Sequence, residues 1–270
     1  MNYFRSLGLK RDPFGTSPDP NFLFASPAHL IALKRLEIAV KLRRGLSVIY
    51  GEVGTGKTTL SRALIRKLAG DKSISCHILL DPHYPSAFQF LLALLASFGI
   101  RQRARSLAQA RKLLNDYLFE TGAAEGRNIV LIIDEGQELG TAQLELLRVL
   151  LNYETNEAKL LQLVVFAQPE LKAKIAKRPN LDDRVALRYS LRALTVLETS
   201  KMIDFRLGKA GFEGEEPIFT PGAVQRIFTM TGGMPRKVNM LCHDTLVNLV
   251  IQSKTSADAE FIDEVQSYRA

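Results

Sequence analysis

The chain is poor in the residues that mark several classes of protein. Its 270 residues hold two cysteines, Cys76 and Cys242, far apart and in neither CxxC nor metal-ligand spacing. No disulfide framework or zinc ribbon can be read from them, and buried free thiols in a reducing compartment are the expectation. The four histidines, His29, His77, His83 and His243, are as scattered, so zinc is not indicated. No apolar run approaches the ~18–20 residues of a membrane span and no secretory signal opens the chain. A cytoplasmic protein is the expectation. There is no internal repeat and no low-complexity tract. What remains is an ordinary globular composition, 46% hydrophobic and 24% charged, long enough for one large domain or two smaller ones.

The net charge of +8 is unevenly placed. Residues 1–195 carry 28 Lys and Arg against 18 Asp and Glu, whereas residues 196–270 carry 8 against 10. The basic excess can serve a triphosphate, a nucleic acid or an anionic membrane surface, and charge alone does not choose among them.

Gly51-Glu52-Val53-Gly54-Thr55-Gly56-Lys57-Thr58 narrows the choice, because it fits the phosphate-binding pattern G-x-x-x-x-G-K-[ST]. Before it, Leu46-Ser47-Val48-Ile49-Tyr50 reads as a buried strand; after it, Leu60, Ala63, Leu64 and Leu68 recur at helical spacing. Glycines at 51, 54 and 56 let the backbone open and approach phosphate oxygens. Successive N–H groups and the helix N-terminus then face the anion. In such a loop Lys57 reaches the β- and γ-phosphates and the Thr58 hydroxyl ligates Mg²⁺. Gly51, Gly54, Thr55, Gly56, Lys57, Thr58 and the adjacent Thr59 are the candidate ATP contacts.

A second run, Asn128-Ile129-Val130-Leu131-Ile132-Ile133, reads as a central parallel strand buried on both faces, and it ends in Asp134-Glu135. Ligands of a parallel sheet sit at the strands' carboxyl ends. Asp134 is therefore the expected Mg²⁺ residue, and Glu135 the one that orients and polarises the attacking water. Leu160 to Ala167 reads as a further strand tipped by Gln168-Pro169-Glu170. Gln168 either reaches between the γ-phosphate and the water or simply terminates the strand.

Two arginine groups carry alternatives. Asp182-Asp183-Arg184 leads into a strand that includes Arg188. These arginines are either solvated partners of Asp182 and Asp183 or fingers into a neighbouring subunit's ATP, Arg184 ahead of Arg188. Arg101, Arg103 and Arg105 alternate in a short loop, either as nucleic-acid phosphate contacts or as a solvated basic stretch.

Residues 1–27, rich in Pro and aromatics, are expected to wrap the core with side chains inserted. A helix is expected over 28–44, opened by Ser26-Pro27, with Leu30, Leu33, Ile38 and Leu42 among its apolar positions. A strand over 74–80 and helices over 85–98 and 141–153 complete the first part. From Thr195 the pattern is helical: 200–210, 221–231, 235–251 and 258–268. At Gly232-Gly233-Met234-Pro235-Arg236, Pro235 opens a helix and would aim Arg236 towards the nucleotide. The fold class is α/β: a P-loop NTPase domain, residues 1–195, with a mainly parallel sheet flanked by helices, then a small all-helical lid over 196–270.

Assembled, these features resemble a AAA+ ATPase over nearly the full length, and more narrowly the ExeA/GspA family of secretion-linked ATPases, close to the pilus-associated MshM branch. The narrower resemblance rests on Tyr3-Phe4, Gly8-Leu9, Pro13-Phe14, Ser17-Pro18-Asp19-Pro20 and Phe22-Leu23. It continues through the phosphate loop, Asp134-Glu135-Gly136-Gln137, Gln168-Pro169-Glu170-Leu171 and Gly233-Met234-Pro235-Arg236. It implies a homo-oligomer, ring or helical filament, that binds and hydrolyses Mg·ATP to assemble or remodel a secretion or pilus-type envelope complex. Mg·ATP is then expected between domain and lid, with a neighbour's Arg184 completing the site. Longer members have a transmembrane segment and a peptidoglycan-binding extension that this sequence does not show. A peripheral place at the inner membrane through a membrane-anchored partner protein is therefore expected. AAA+ proteins of the TnsC and MuB type bind duplex DNA as ATP-dependent filaments and regulate a transposase, and the basic first part keeps that alternative open. A nucleotide-gated scaffold with little turnover is a third.

Overall fold

The computed structural model of the protein describes residues 3–15, 22, 24–155 and 158–268. Ser17-Pro18-Asp19-Pro20 and Leu23 of the N-terminal motif lie outside the described residues. The chain divides into two compact units, one of Ala28–Val53 with Leu60–Leu191, the other of Met1–Pro27, Gly54–Thr59 and Arg192–Ala270.

The α/β elements run, in chain order, α1 (Pro27–Lys41), β1 (Leu46–Tyr50), α2 (Lys57–Leu68), β2 (Ile74–Leu79), α3 (Ala87–Ser97), α4 (Leu107–Phe119) and β3 (Asn128–Ile133). They continue α5 (Thr141–Leu150), β4 (Leu161–Ala167), α6 (Glu170–Ala176), α7 (Pro179–Asp182) and β5 (Val185–Ser190). The five strands form one sheet in the order β2-β3-β4-β1-β5, and every pairing is parallel. Burial follows position in that order. β1, β3 and β4 are buried at every residue, whereas the edge strand β5 alternates between half-buried and exposed residues.

Strand alternation sorts the core into two layers. Ile129, Leu131 and Ile133 of β3, with Leu161, Leu163 and Val165 of β4, pack under α3, α4 and α5. Val130 and Ile132, with Val164 and Phe166, pack under α1 and α2. The apolar runs are continuous because both faces are covered.

Helix α1 differs from its expectation at both its end and its face. It stops at Lys41, where Arg43 and Gly45 turn to positive φ (51° and 87°). Its buried face is Ala32, Leu36 and Val40; Leu30, Ile38 and Leu42 are exposed. Cys242 is fully buried, but Cys76 on β2 is only half-buried, and burial pushes its thiol up to about 11.

The second unit contains α8 (Val196–Lys209), α9 (Pro221–Thr231), α10 (Pro235–Ile251) and α11 (Ala259–Ser267). Local chemistry sets their ends. Thr195 and Glu198 form a capping box that starts α8 earlier than expected. Thr220 caps α9, which ends at Gly232 in the left-handed region. Asp258 caps α11. The N-terminal segment, expected as part of the α/β domain, belongs to this helical unit. Phe4, Leu7, Leu9, Phe14 and Phe22 are buried in one cluster with Ile203, Ile227, Leu241 and Ile262. Backbone ties reinforce the placement: Lys10 N–H donates to Ala210 O at 2.8 Å, and Arg206 donates to Pro13 O at 3.0 Å. Aromatic spacing signals insertion without saying into which core.

Candidate active site

All strands being parallel, β1, β3 and β4 deliver their carboxyl ends to one edge of the sheet. From β1 the chain enters the glycine loop, and Gly51 N–H still donates to Ala167 O at 3.1 Å, extending the strand ladder. Open backbone was expected at three glycines; positive φ is found at Gly54 (85°) and Gly56 (95°). Helix α2 opens at Lys57, directly after Gly56. Thr55 and Lys57 are buried.

The loop and Arg236 meet within the second unit. Arg236 N–H donates to Gly54 O at 3.2 Å, and a Cβ on Gly54 would lie 2.8 Å from Arg236 Cβ. The preceding Gly233 is fixed by φ +67° and by Leu194 O, 2.1 Å from any Cβ placed there. Pro235 occupies the first turn of α10, as expected.

At the end of β3, Asp134 is buried and its Oδ1 accepts from Glu135 N–H at 3.0 Å. Glu135 itself sits at φ +52°, left-handed for a residue with a side chain, a conformation that persists only where its surroundings hold it. The surroundings are specific. Gly136 lies against β4 so closely that a Cβ would stand 2.3 Å from Val165 Cγ1 and 3.3 Å from Ala167 Cβ. Gln137 Nε2 donates to Glu135 Oε2 at 2.6 Å, and Gln137 Oε1 accepts from Gln168 N–H at 3.0 Å. Lys174 Nζ donates to the carbonyls of Gln137 and, at 3.1 Å, Leu139. One amide side chain thus ties the carboxylate after β3 to the backbone at the tip of β4. In the sequence Gln137 is the last residue of Asp134-Glu135-Gly136-Gln137 and has no role of its own there; its position two residues after Glu135 is the only signal it carries. Lys174 gives none.

The arginines are occupied locally. Arg184 contacts Asn152 Oδ1 and donates to Asn180 O at 3.3 Å. Arg188 pairs with Asp182 Oδ1 and donates to Asp182 O, both at 2.7 Å. Of the two readings of this pair, the ion pair with Asp182 is present for Arg188. It also lies by Tyr50, whose phenol is pushed up by burial and by Asp182 and pulled down by this guanidinium. Arg101, Arg103 and Arg105 stand apart from this network, exposed on the loop joining α3 to α4. Arg103 and Arg105 line an open cleft floored by Leu92, Leu95 and Ile100.

A glycine loop between a parallel strand and a helix, with acidic residues at the end of another strand of the same sheet, one strand removed, defines a P-loop nucleoside triphosphatase fold. Residues 40–175 match the family described as AAA domain, and the chain belongs to that family, in its GspA/ExeA-like group. It is 36% identical over 249 residues to General secretion pathway protein A of Aeromonas hydrophila, covering 91% of this chain and 44% of that protein. The chain therefore spans less than half the length of this curated relative. Among solved structures it is similar to Cdc6p of Pyrobaculum aerophilum (TM-score 0.70, 17% identity, 90% of this chain and 67% of that one). It is also similar to the Aeropyrum pernix ORC2 protein (TM-score 0.67, 17% identity, 96% and 71%) and the Thermotoga maritima RuvB motor (TM-score 0.58, 18% identity, 87% and 67%). At such identities the likeness is one of fold.

Proposed function

We propose that the protein binds and hydrolyses Mg·ATP as a homo-oligomer and drives the assembly or remodelling of a secretion or pilus-type envelope complex. The observation that carries the hydrolytic part is the turn 134–137, which fixes Glu135 at the carboxyl edge of the sheet and ties it to Gln168. The name of the relative, General secretion pathway protein A, supports the envelope part.

The roles follow from residue chemistry. N–H groups of 54–58 and the start of α2 face the phosphates, and Lys57 neutralises their charge. The Thr58 hydroxyl and the Asp134 carboxylate are hard oxygen donors of the kind Mg²⁺ takes alongside phosphate oxygens and water. When bound, the ion offsets charge on the transferred phosphoryl group. Glu135 accepts a proton from water as it attacks the γ-phosphorus, the bond to the β,γ-bridging oxygen breaks and ADP leaves with that electron pair, and Gln168 positions the water. Arg184, or Arg188, leaves its local partners to reach a neighbouring protomer's nucleotide, and Arg236 reads the nucleotide from the helical unit. A membrane-anchored partner would place this cycle peripherally at the inner membrane.

The test is ATP binding and turnover, with Mg²⁺, of the wild type and Lys57→Ala. Loss of ATP binding in the variant is expected, since the buried phosphate cluster loses its cation; unchanged turnover would refute the assignment of the loop. A second reading, an ATP-dependent DNA-binding regulator of transposition, rests on the exposed arginines at 101, 103 and 105. ATP-dependent, steeply salt-sensitive binding of duplex DNA would favour it over the envelope role.

A further inference from the structure

Helix α1 turns an unused face to solvent. Leu30, Ile31, Ile38 and Leu42 stand 54, 47, 47 and 58% exposed, opposite the Ala32, Leu36 and Val40 that pack on the sheet. Leu42 follows the helix proper, but its N–H still donates to Ile38 O at 2.9 Å, so the turn continues. At 3.6 residues per turn, Ile31, Ile38 and Leu42 project within roughly 40° of one another. Exposed aliphatics scattered singly need no explanation; a ridge of them along one helix does.

The ridge is framed by positive charge. Lys34, Arg35, Lys41, Arg43 and Arg44 come from α1 and the turn after it, Arg35 lying over the Tyr189 ring and Arg43 donating to Gly126 O, and Lys67 joins them from α2 through Glu37. Glu37 is the sole carboxylate in residues 27–44, and three lysines share it: Lys67 at 2.8 Å, Lys41 at 3.1 Å and Lys34 at 3.6 Å. Asp71, on the turn after α2, is a second carboxylate within the field of Lys41. Six cations against two carboxylates leave a clear positive surplus beside the aliphatic ridge.

We propose that this face docks directly on an anionic lipid surface, the ridge entering the headgroup layer while the lysines and arginines meet lipid phosphates. Charge and apolarity select this occupant together. Nucleic acid would use the cations but gain nothing from the ridge, which offers no aromatic ring for base stacking. A second copy meeting this face symmetrically would bring like charges together, and a head-to-tail contact in a ring or filament is separated from lipid docking by the self-association of the α1 variants. The docking needs no nucleotide and does not rest on the ATPase reading. It supplies a membrane contact beyond the one expected through a partner protein.

The experiment is co-sedimentation of the protein with vesicles of phosphatidylglycerol mixed into phosphatidylcholine, against pure phosphatidylcholine, over a salt series. Binding to the anionic vesicles alone, weakening as salt rises, is expected. The double variant Ile38→Ser/Leu42→Ser should bind at least about tenfold more weakly at every salt concentration, since apolar burial is not screened. Lys34→Gln/Lys41→Gln should bind more weakly at low salt and show a flatter salt dependence. Lys172→Gln/Lys177→Gln, which removes two exposed lysines elsewhere, should bind as the wild type does, which excludes a mere net-charge effect. Unchanged ATP affinity and melting temperature identify variants that are folded. Equal binding by wild type and the α1 variants overturns the proposal, as does equal binding to both vesicle types. Loss of self-association or of DNA binding in those variants, with vesicle binding intact, overturns it too.

Discussion

The turn at 134–137 and the arginines at 184 and 188 belong to the same α/β unit, yet they are held in opposite ways. The turn is locked by half-buried and buried groups. Gly136 sits against Val165, Gln137 bridges Glu135 and Gln168, and Lys174 ties down two carbonyls. Each arginine rests on few partners: Asn180 in its own turn and the distant Asn152 for Arg184, and Asp182 for Arg188. The exposed Arg188–Asp182 ion pair contributes about 0–1 kcal/mol, so leaving it costs little, and Arg184, half-buried, is held by two hydrogen bonds and no ion pair. A single chain therefore fixes the group assigned to activate water, while its arginines can be withdrawn from their partners for use elsewhere. That asymmetry is what the proposed site shared between protomers would require.

The strongest way to break the comparison is Gly136→Val. The new side chain has no room against β4, and overpacking of this kind costs about 1–3 kcal/mol. A lowered melting temperature and loss of hydrolysis are expected; wild-type values in both would show that the turn is not held against β4. Next in size is Gln137→Ala, which cuts both ties of the bridge. Turnover should fall roughly 10- to 100-fold with KM for ATP nearly unchanged, as for a group that positions a reacting residue. A raised KM at constant kcat would instead make Gln137 a binding residue. For the arginines, mixing Arg184→Ala protomers with Glu135→Gln protomers should restore turnover that neither has alone. If no mixture recovers activity, action across protomers is wrong. Asp182→Ala should change stability by no more than about 1 kcal/mol, measured by denaturant unfolding, and a larger loss would mean that Arg188 is structurally committed.

The smallest effect is one of pH. Hydrogen bonds from Lys67 and Lys41 hold the Glu37 carboxyl down at about 2, from an ordinary 4.5. A depressed carboxyl stabilises the fold above its unfolded value and loses that contribution as pH falls through the folded one. Glu37→Gln should thus lose part of the stability difference between pH 5 and pH 2. An unchanged acid unfolding curve would show that the lysine cluster does not act on stability through this carboxylate.

How much of this was legible depends on the range of the interactions involved. Helices α9 and α10 fall at Pro221–Thr231 and Pro235–Ile251, as read from the sequence; Pro221, Gly232 and Pro235 set three of the four ends, because proline and glycine act within a turn. The strands carrying Asp134 and Gln168 were legible as apolar runs. The buried face of α1 was not, because the helix has aliphatic residues on both sides and periodicity cannot say which one the sheet takes. Nor was the bridge at Gln137, which reaches Gln168, 31 residues further along the chain, beside a glycine whose constraint appears only once β4 lies beneath it. The N-terminal aromatics announced burial, but their core was set by tertiary contacts with α8 to α11.

The most direct test of the central claim is to measure Mg·ATP affinity and turnover together for Glu135→Gln. Affinity close to wild type is expected, with hydrolysis reduced on the order of 10²-fold or more, the scale of a lost general base. Hydrolysis at the wild-type rate would contradict the claim and remove Glu135 from the chemistry.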